Sequence, residues 1–156
     1  MSDLYADDFV LWSEQQAERL RRLARGEQVN DVDWSNLVEE VEGLGRSATS
    51  AVRSLLLRAL EHLLKAAAWP QAPSVRKWLH EARTFLDDAA ADWTPGMAQH
   101  IDLDDLYAKA LWRVRDLDFE EGAPGKLPEH CPVGFRDLLA ADAKGLLERF
   151  RMTPPP

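Results

Sequence analysis

The segment Asp33-Trp-Ser-Asn-Leu-Val-Glu-Glu-Val-Glu-Gly-Leu-Gly-Arg46 decides the fold class of this chain. Asp33 is a preferred N-cap residue, and the apolar side chains after it recur every three or four positions, as they do on one face of an α-helix. We therefore predict a helix that begins after Asp33, buries this face and is ended or bent by Gly43-Leu-Gly45. The apolar positions are Trp34, Leu37, Val38, Val41 and Leu44.

The same period of 3.6 residues continues along the rest of the chain, and no alternating run is long enough for a strand. The sequence therefore predicts an all-α, single-domain bundle of five to six amphipathic helices over residues 1–156, with a frayed tail at 151–156. Gln16 is the polar member of an apolar stripe, either at its rim or hydrogen-bonded inside. The other predicted helices cover about 8–24, 47–68, 74–93, 102–114 and 132–150, and a flexible loop is predicted at 121–132.

Composition limits the class of protein. The 156 residues carry a net charge of −8, which opposes generic binding to a phosphate backbone, so we do not expect a nucleic-acid partner. The single cysteine, Cys131, excludes an intramolecular disulfide and suits a reducing compartment. The N-terminus lacks the apolar stretch of a signal peptide, and no apolar run approaches the ~18 residues of a membrane span. The sequence thus predicts a cytoplasmic protein without membrane association.

A search for catalytic or metal-binding residues finds no complete set. Glu39, Glu40 and Glu42 form an acidic cluster, but a two-metal site in a helical bundle also needs Glu-x-x-His pairs, and none of the four histidines follows a Glu at that spacing. The helical stripe also directs Glu39 and Glu42 outward. As a nucleophile, Cys131 needs a nearby base, and a free cysteine is more often a small buried hydrophobe. We therefore predict no metal, no cofactor and no catalytic residue.

A basic stripe on the third predicted helix is the first candidate for a partner-binding site. Arg58, His62 and Lys65 are spaced by three and four positions, so they share one side of that helix. If the next helix folds back antiparallel, Arg76 approaches them, and the four side chains form a patch suited to a carboxylate or phosphate. The alternative is a solvated stripe whose ion pairs contribute little. The loop at 121–132 is a second candidate surface.

Several short motifs occur in this chain in a recognisable order. They are Leu4-Tyr5, Asp8-Phe9, Trp12, Asp33-Trp34, Asn36-Leu37, Glu39-Glu40, Glu42, Leu44-Gly45-Arg46-Ser47, His62-Leu63-Leu64-Lys65, Trp78 and Cys131-Pro132. This order of motifs resembles the bacterial, cyanobacteria-rich family catalogued as domain of unknown function number 29, over about residues 4–140. The resemblance implies an almost entirely helical protein and supplies no catalytic residues; it leaves the role of 140–156 open.

Our leading interpretation is a protein–protein interaction module, because the chain has six tryptophans, a polarised charge and no complete catalytic set. One alternative is a metal-dependent or other enzyme that uses Glu39, Glu40, His62 or Cys131 in a pocket between helices. A second alternative is a nucleic-acid-linked regulator. A protein partner is predicted without its identity, and the sequence leaves a homo-oligomer open.

Overall fold

The protein is all-α, as predicted. A computed structural model describes residues 3–151, in which seven α-helices and a 3₁₀-helix (Pro95–Gln99) follow one another. Five of the α-helices contain nine or more residues, in agreement with the predicted five to six. Within these residues the only β-type pairing is an isolated bridge between Phe119 and Gly122. The α-helices are α1 (Leu4–Asp7), α2 (Phe9–Ala24), α3 (Trp34–Ala68), α4 (Val75–Asp92), α5 (Leu103–Arg115), α6 (Phe135–Leu139) and α7 (Ala143–Arg151).

The first of two compact units ends at Ser47 and contains α1, α2 and the beginning of α3. Asp8 caps α2, because its side chain accepts a hydrogen bond from the N–H of Leu11 at 2.9 Å. Gln16 is buried, and its Oε1 accepts a hydrogen bond from the backbone N–H of Asp33 at 2.9 Å. Trp12 Nε1 donates to the Asp33 carboxylate at 3.0 Å. The internal hydrogen bond, one of two alternatives for Gln16, is therefore confirmed.

The second compact unit begins at Ala48 and contains the hydrophobic core. Within it, α4 packs against α6 and α7. Five helices, from α3 to α7, contribute large side chains that are shielded from solvent, so burial of apolar surface is the main force that assembles them. The largest of these side chains are Tyr107, Phe150, Leu56, Leu60, Leu63, Leu64, Leu86, Leu138, Val52 and Val114. The expectation of a single domain stays a prediction.

The predicted end of the helix at Gly43-Leu-Gly45 is wrong, because α3 passes through it and contains 35 residues, from Trp34 to Ala68; the alternative, a bend, stays a prediction. Each glycine costs a helix about 1 kcal/mol relative to alanine, which is less than the cost of leaving the backbone groups of two helix ends unpaired. An ion pair between Arg46 and Glu42, at 3.5 Å, also spans these glycines at the favourable i, i+4 spacing. Glycine content alone therefore overstates the break.

The C-terminal helix predicted over residues 132–150 is two helices, α6 and α7. The corner between them places Ala141 in the left-handed region, at φ 56°. Asp142 then caps α7 by accepting a hydrogen bond from the N–H of Gly145 at 3.1 Å. The frayed tail was predicted for 151–156; Arg151 belongs to α7, and residues 152–156 lie outside the described part of the chain.

The segment predicted as a flexible loop, 121–132, is held to the second unit at several points. Trp69 Nε1 donates to the carbonyl of Gly122 at 2.8 Å, and the Tyr107 hydroxyl donates to the carbonyl of Pro128 at 2.6 Å. The N–H of Gly125 donates to the carbonyl of Ala68 at 2.9 Å. These hydrogen bonds give the loop a defined conformation. They do not test its use as a partner surface, which stays a prediction.

Candidate functional site

The predicted basic stripe lies against α4. The guanidinium carbon of Arg58 stands 5.8 Å from the centre of the Phe85 ring, and Lys65 Nζ stands 5.3 Å from the Trp78 ring. Both are cation–π contacts, which stabilise the charges by interaction with the ring faces. The structure thus brings Arg58 and Lys65 together on one helix and gives each an aromatic neighbour from the same chain. Their role in binding a partner stays a prediction.

His62 lies between these two cations and is mostly buried. Its ring stacks on Phe85 at 5.5 Å between centres, and its Nε2 lies 3.4 Å from the Glu81 carboxylate. Its Nδ1 is buried and has no hydrogen-bond partner among the described residues. Burial, followed by the positive charge of Lys65, lowers the pKa of His62 below its usual 6.5, while Glu81 opposes that shift. A neutral imidazole at this site contributes no charge to the predicted patch at neutral pH.

Arg76, the fourth predicted residue, lines a different feature. It borders an open cavity of about 610 Å³ between the beginning of α4 and the corner that precedes α7. His80 and Arg83 from α4 and Lys144 from α7 line the same cavity, and Asp142 supplies a carboxylate. Arg76 thus lines this cavity together with other basic side chains, and its approach to Arg58, His62 and Lys65 stays a prediction.

Glu39, Glu40 and Glu42, the acidic cluster considered as a possible metal site, have different environments. Glu39 and Glu42 are exposed, as predicted, whereas Glu40 accepts a hydrogen bond from the Tyr5 hydroxyl. That bond, together with burial of the phenol, raises the pKa of Tyr5 to about 12. Across residues 3–151 there is no group of three or more His, Cys, Asp or Glu placed to hold a metal ion. Glu40 is therefore held by a structural hydrogen bond, whereas Glu39 and Glu42 are exposed and Glu42 forms an ion pair with Arg46.

Cys131 is half-buried near the end of the anchored loop. Its thiol lies 3.3 Å from the carbonyl of Val133, to which it donates a weak hydrogen bond. Burial raises the pKa of the Cys131 thiol, so the protonated form dominates at neutral pH. The thiol is therefore in the chemical state of a packing side chain and not in that of an activated nucleophile.

The largest departure from expectation is the apolar stripe at the beginning of α3. The sequence predicts that its face is buried, but Trp34, Val38, Val41 and Leu44 are 59%, 54%, 66% and 71% exposed. Only Leu37 is half-buried, and Asp33 and Glu40 make the hydrogen bonds to α1 and α2. The prediction of a buried face is therefore wrong for four of its five residues. We call Trp34, Val38, Val41 and Leu44 the α3 stripe.

The α3 stripe is continuous. Its members are separated by four, three and three positions, so each lies beside the next on one side of the helix. Isolated exposed apolar residues are common on protein surfaces, whereas contiguous ones mark interaction sites. Trp112 on α5, 69% exposed, is an isolated example. Fully burying an exposed Val or Leu is worth ~1.5–3 kcal/mol. Because the four residues are already partly buried, covering what remains exposed would yield roughly 5 kcal/mol.

Sequence reasoning missed this surface because periodicity shows which residues share a face, but not what covers that face. The signal that was available is the charge pattern. Residues 27–44 contain six acidic residues and no Lys or Arg, so the apolar stripe lies in the most acidic part of the chain. An apolar face within such a charged segment is a feature of exposed binding surfaces as well as of amphipathic core helices.

The fold and the candidate surfaces define a class: an all-helical protein with a well-packed core in one unit and an exposed apolar stripe in the other. In the described part of the chain, no helix combines the length and apolar character needed to cross a bilayer. A crystal structure of an α-helical protein of unknown function from Rhodospirillum rubrum is similar, with a TM-score of 0.71 and 26% sequence identity. The similarity covers 96% of this chain and 98% of that one.

The chain belongs to the family described as domain of unknown function DUF29, whose sequence pattern matches residues 4–143. The predicted resemblance over about 4–140 is thereby confirmed. Among curated proteins, none matches this chain. Family membership therefore supports the helical fold and carries no catalytic or ligand-binding residue over to this chain.

Proposed function

We propose that this protein is a protein–protein interaction module of the bacterial cytoplasm. The observation that supports the proposal is the α3 stripe, four adjacent large apolar side chains that are each more than half exposed. An interface core of this kind is typically apolar and contains an aromatic anchor, here Trp34. The single half-buried cysteine suits a reducing compartment.

Two surfaces compete as the docking site. The α3 stripe offers apolar area that a partner would remove from water. The basic stripe of Arg58, His62 and Lys65 offers charge, but its cations already contact the rings of Phe85 and Trp78. Apolar burial is the larger source of binding free energy, whereas exposed charges mainly steer association. We therefore favour the α3 stripe and retain the basic stripe as a second candidate.

The test is affinity capture from the source organism with three baits: the wild-type protein, Val38→Ser/Val41→Ser and Arg58→Glu/Lys65→Glu. We expect a stoichiometric partner that is captured by the wild type and by the charge-reversal variant and is lost with the serine variant. Val38 and Val41 are exposed, so their replacement leaves the fold intact, which circular dichroism verifies. Identical partner lists from the wild type and both variants would contradict the proposal.

A further inference from the structure

The charge around the α3 stripe indicates what kind of molecule covers it. Residues 1–47 contain eleven acidic and five basic residues, so this segment carries −6 of the chain's net charge of −8. Glu42 follows Val38 by four positions and therefore lies beside it on the helix surface. Glu39 is exposed and has no ion-pair partner among the described residues, and it precedes Glu42 by one turn. The stripe is thus bordered on this side by negative charge.

The bases of this segment are largely engaged elsewhere. Arg19 pairs with Asp31 at 2.8 Å, Arg22 and Arg25 each pair with Glu27, and Arg21 pairs with Glu18. Arg46, two positions after Leu44 on α3, contacts Glu42 at 3.5 Å. Because these bases are paired within the segment, none of these ion pairs neutralises Glu39, and the segment keeps its net charge of −6.

We infer that the α3 stripe binds a basic amphipathic helix of another protein, whose apolar seam covers Trp34, Val38, Val41 and Leu44 and whose Lys or Arg residues face Glu39 and Glu42. This inference rests on the proposed function and specifies the partner's chemistry. The stripe spans ten residue steps, or about 15 Å of helix, which matches roughly three turns of a partner helix whose apolar anchors recur every three or four positions.

A second copy of this chain fits the stripe less well. Two copies would bring two segments of charge −6 together, and juxtaposed like charges oppose association. The same charge opposes an anionic membrane surface. A partner with basic flanks gains from both the apolar contact and the charge complementarity, so we commit to that occupant.

The probes are synthetic 18-residue helical peptides with leucine at the seam positions and either lysine or glutamate elsewhere. A third peptide has the leucine–lysine composition with its leucines distributed around the helix. Fluorescence anisotropy of labelled peptides measures Kd for the full-length protein, and sedimentation velocity measures its oligomeric state. We expect the amphipathic lysine peptide to bind at least ~10-fold more tightly than either of the other two, and more weakly as salt is added.

Three variants locate the binding. Val38→Ser/Val41→Ser is expected to weaken binding of the lysine peptide by ~10-fold or more, whereas Trp112→Ser removes an isolated exposed tryptophan and leaves Kd unchanged. Glu39→Gln/Glu42→Gln is expected to reduce the preference for lysine over glutamate while the apolar contact remains.

The outcomes separate this inference from the proposed function. If the glutamate peptide binds as tightly as the lysine peptide and both lose affinity in the serine variant, the stripe is a docking surface and our assignment of a basic partner is overturned. A dimer that the serine variant abolishes would identify a second copy as the occupant and would overturn the assignment in the same way. If the serine substitutions change no affinity and no oligomeric state, both this inference and the stripe's role in the proposed function fail.

Discussion

The side-chain carbonyl of Gln16 accepts a hydrogen bond from the backbone N–H of Asp33, seventeen positions further along the chain. The Asp33 carboxylate in turn accepts from Trp12 Nε1 and from the side-chain amide of Asn36. The hydrogen bonds from Asn36 and Trp12 stabilise the ionised carboxylate and therefore lower the pKa of Asp33. One buried amide and one carboxylate therefore fasten the beginning of α3 to α2 in a unit with few buried apolar side chains.

Replacing Gln16 is expected to loosen this fastening. Gln16→Leu leaves the N–H of Asp33 without its partner, which costs about 1–3 kcal/mol when the donor is shielded from water. The measurement is hydrogen exchange of the backbone amides in residues 9–47. The free energy of opening obtained from their exchange rates should fall by that amount. Gln15→Leu is the matched control, since the Gln15 side chain makes no hydrogen bond in the described structure. Equal protection in the two variants would show that the bond contributes nothing.

Two apolar residues on α3 are expected to respond differently to truncation. Leu63 is fully buried in the second unit, so Leu63→Ala leaves a cavity and should cost about 2–5 kcal/mol of unfolding free energy. Val41 is 66% exposed, so Val41→Ala should stay within ~0.5 kcal/mol of the wild type. Urea denaturation followed by circular dichroism measures both. A large loss for Val41→Ala would mean that the α3 stripe is covered within the chain.

Gly122 is expected to resist substitution because of its backbone conformation. Its φ is +96°, in a backbone region that residues with a Cβ rarely adopt. Its carbonyl also accepts the hydrogen bond from Trp69. Gly122→Ala should therefore cost about 1–3 kcal/mol. A Cβ at Gly96 meets no atom within 4 Å, and its φ lies outside the left-handed region, so Gly96→Ala should be nearly neutral. Thermal unfolding of both variants decides the point, and similar midpoints would argue against backbone strain at Gly122.

Acidification is expected to destabilise the protein through His62. Because the pKa of His62 in the folded protein lies below the value of 6.5 in the unfolded chain, the unfolded state binds more protons between these two values. The free energy of unfolding should therefore fall as the pH is lowered from 6.5 through the folded pKa. The groups that face His62 are Glu61, Lys65, Lys77, Glu81 and Phe85.

The corresponding variant is His62→Phe, which keeps the stacking on Phe85 and removes the titrating group. Its unfolding free energy, measured by urea titration at several pH values, should fall less steeply than that of the wild type over this range. His80→Phe removes an exposed histidine from the same region and serves as the control. If His62→Phe and the wild type show the same pH dependence, the His62 contribution is absent.

Local helix signals were sufficient where nothing competed with them. The bounds of α2, α4 and α5 agree with the predicted helices to within two residues. For α2 and α5, the capping residues Asp8 and Asp102 act on their own backbone neighbours. Glu39 and Glu42 are exposed as predicted, although the face from which that prediction was made is exposed as well. In contrast, the helix end predicted at Gly43-Leu-Gly45 is absent and the corner within 132–150 was not predicted, because continuing or interrupting a helix depends on tertiary contacts worth only a few kcal/mol.

Which apolar side chains become buried against other helices does not depend on the local sequence alone. The same spacing marks Leu56, Leu60 and Leu63, which other helices cover, and Val38, Val41 and Leu44, which they do not. Likewise, Arg58 and Lys65 share a helix face as the spacing predicts, but their contacts with Phe85 and Trp78 depend on how α4 packs. Helix periodicity arises from backbone geometry within a few residues, whereas burial is set by segments distant in the chain. The residues therefore dictated the helices and their faces, and the packing of those helices selected which apolar face was left exposed to water.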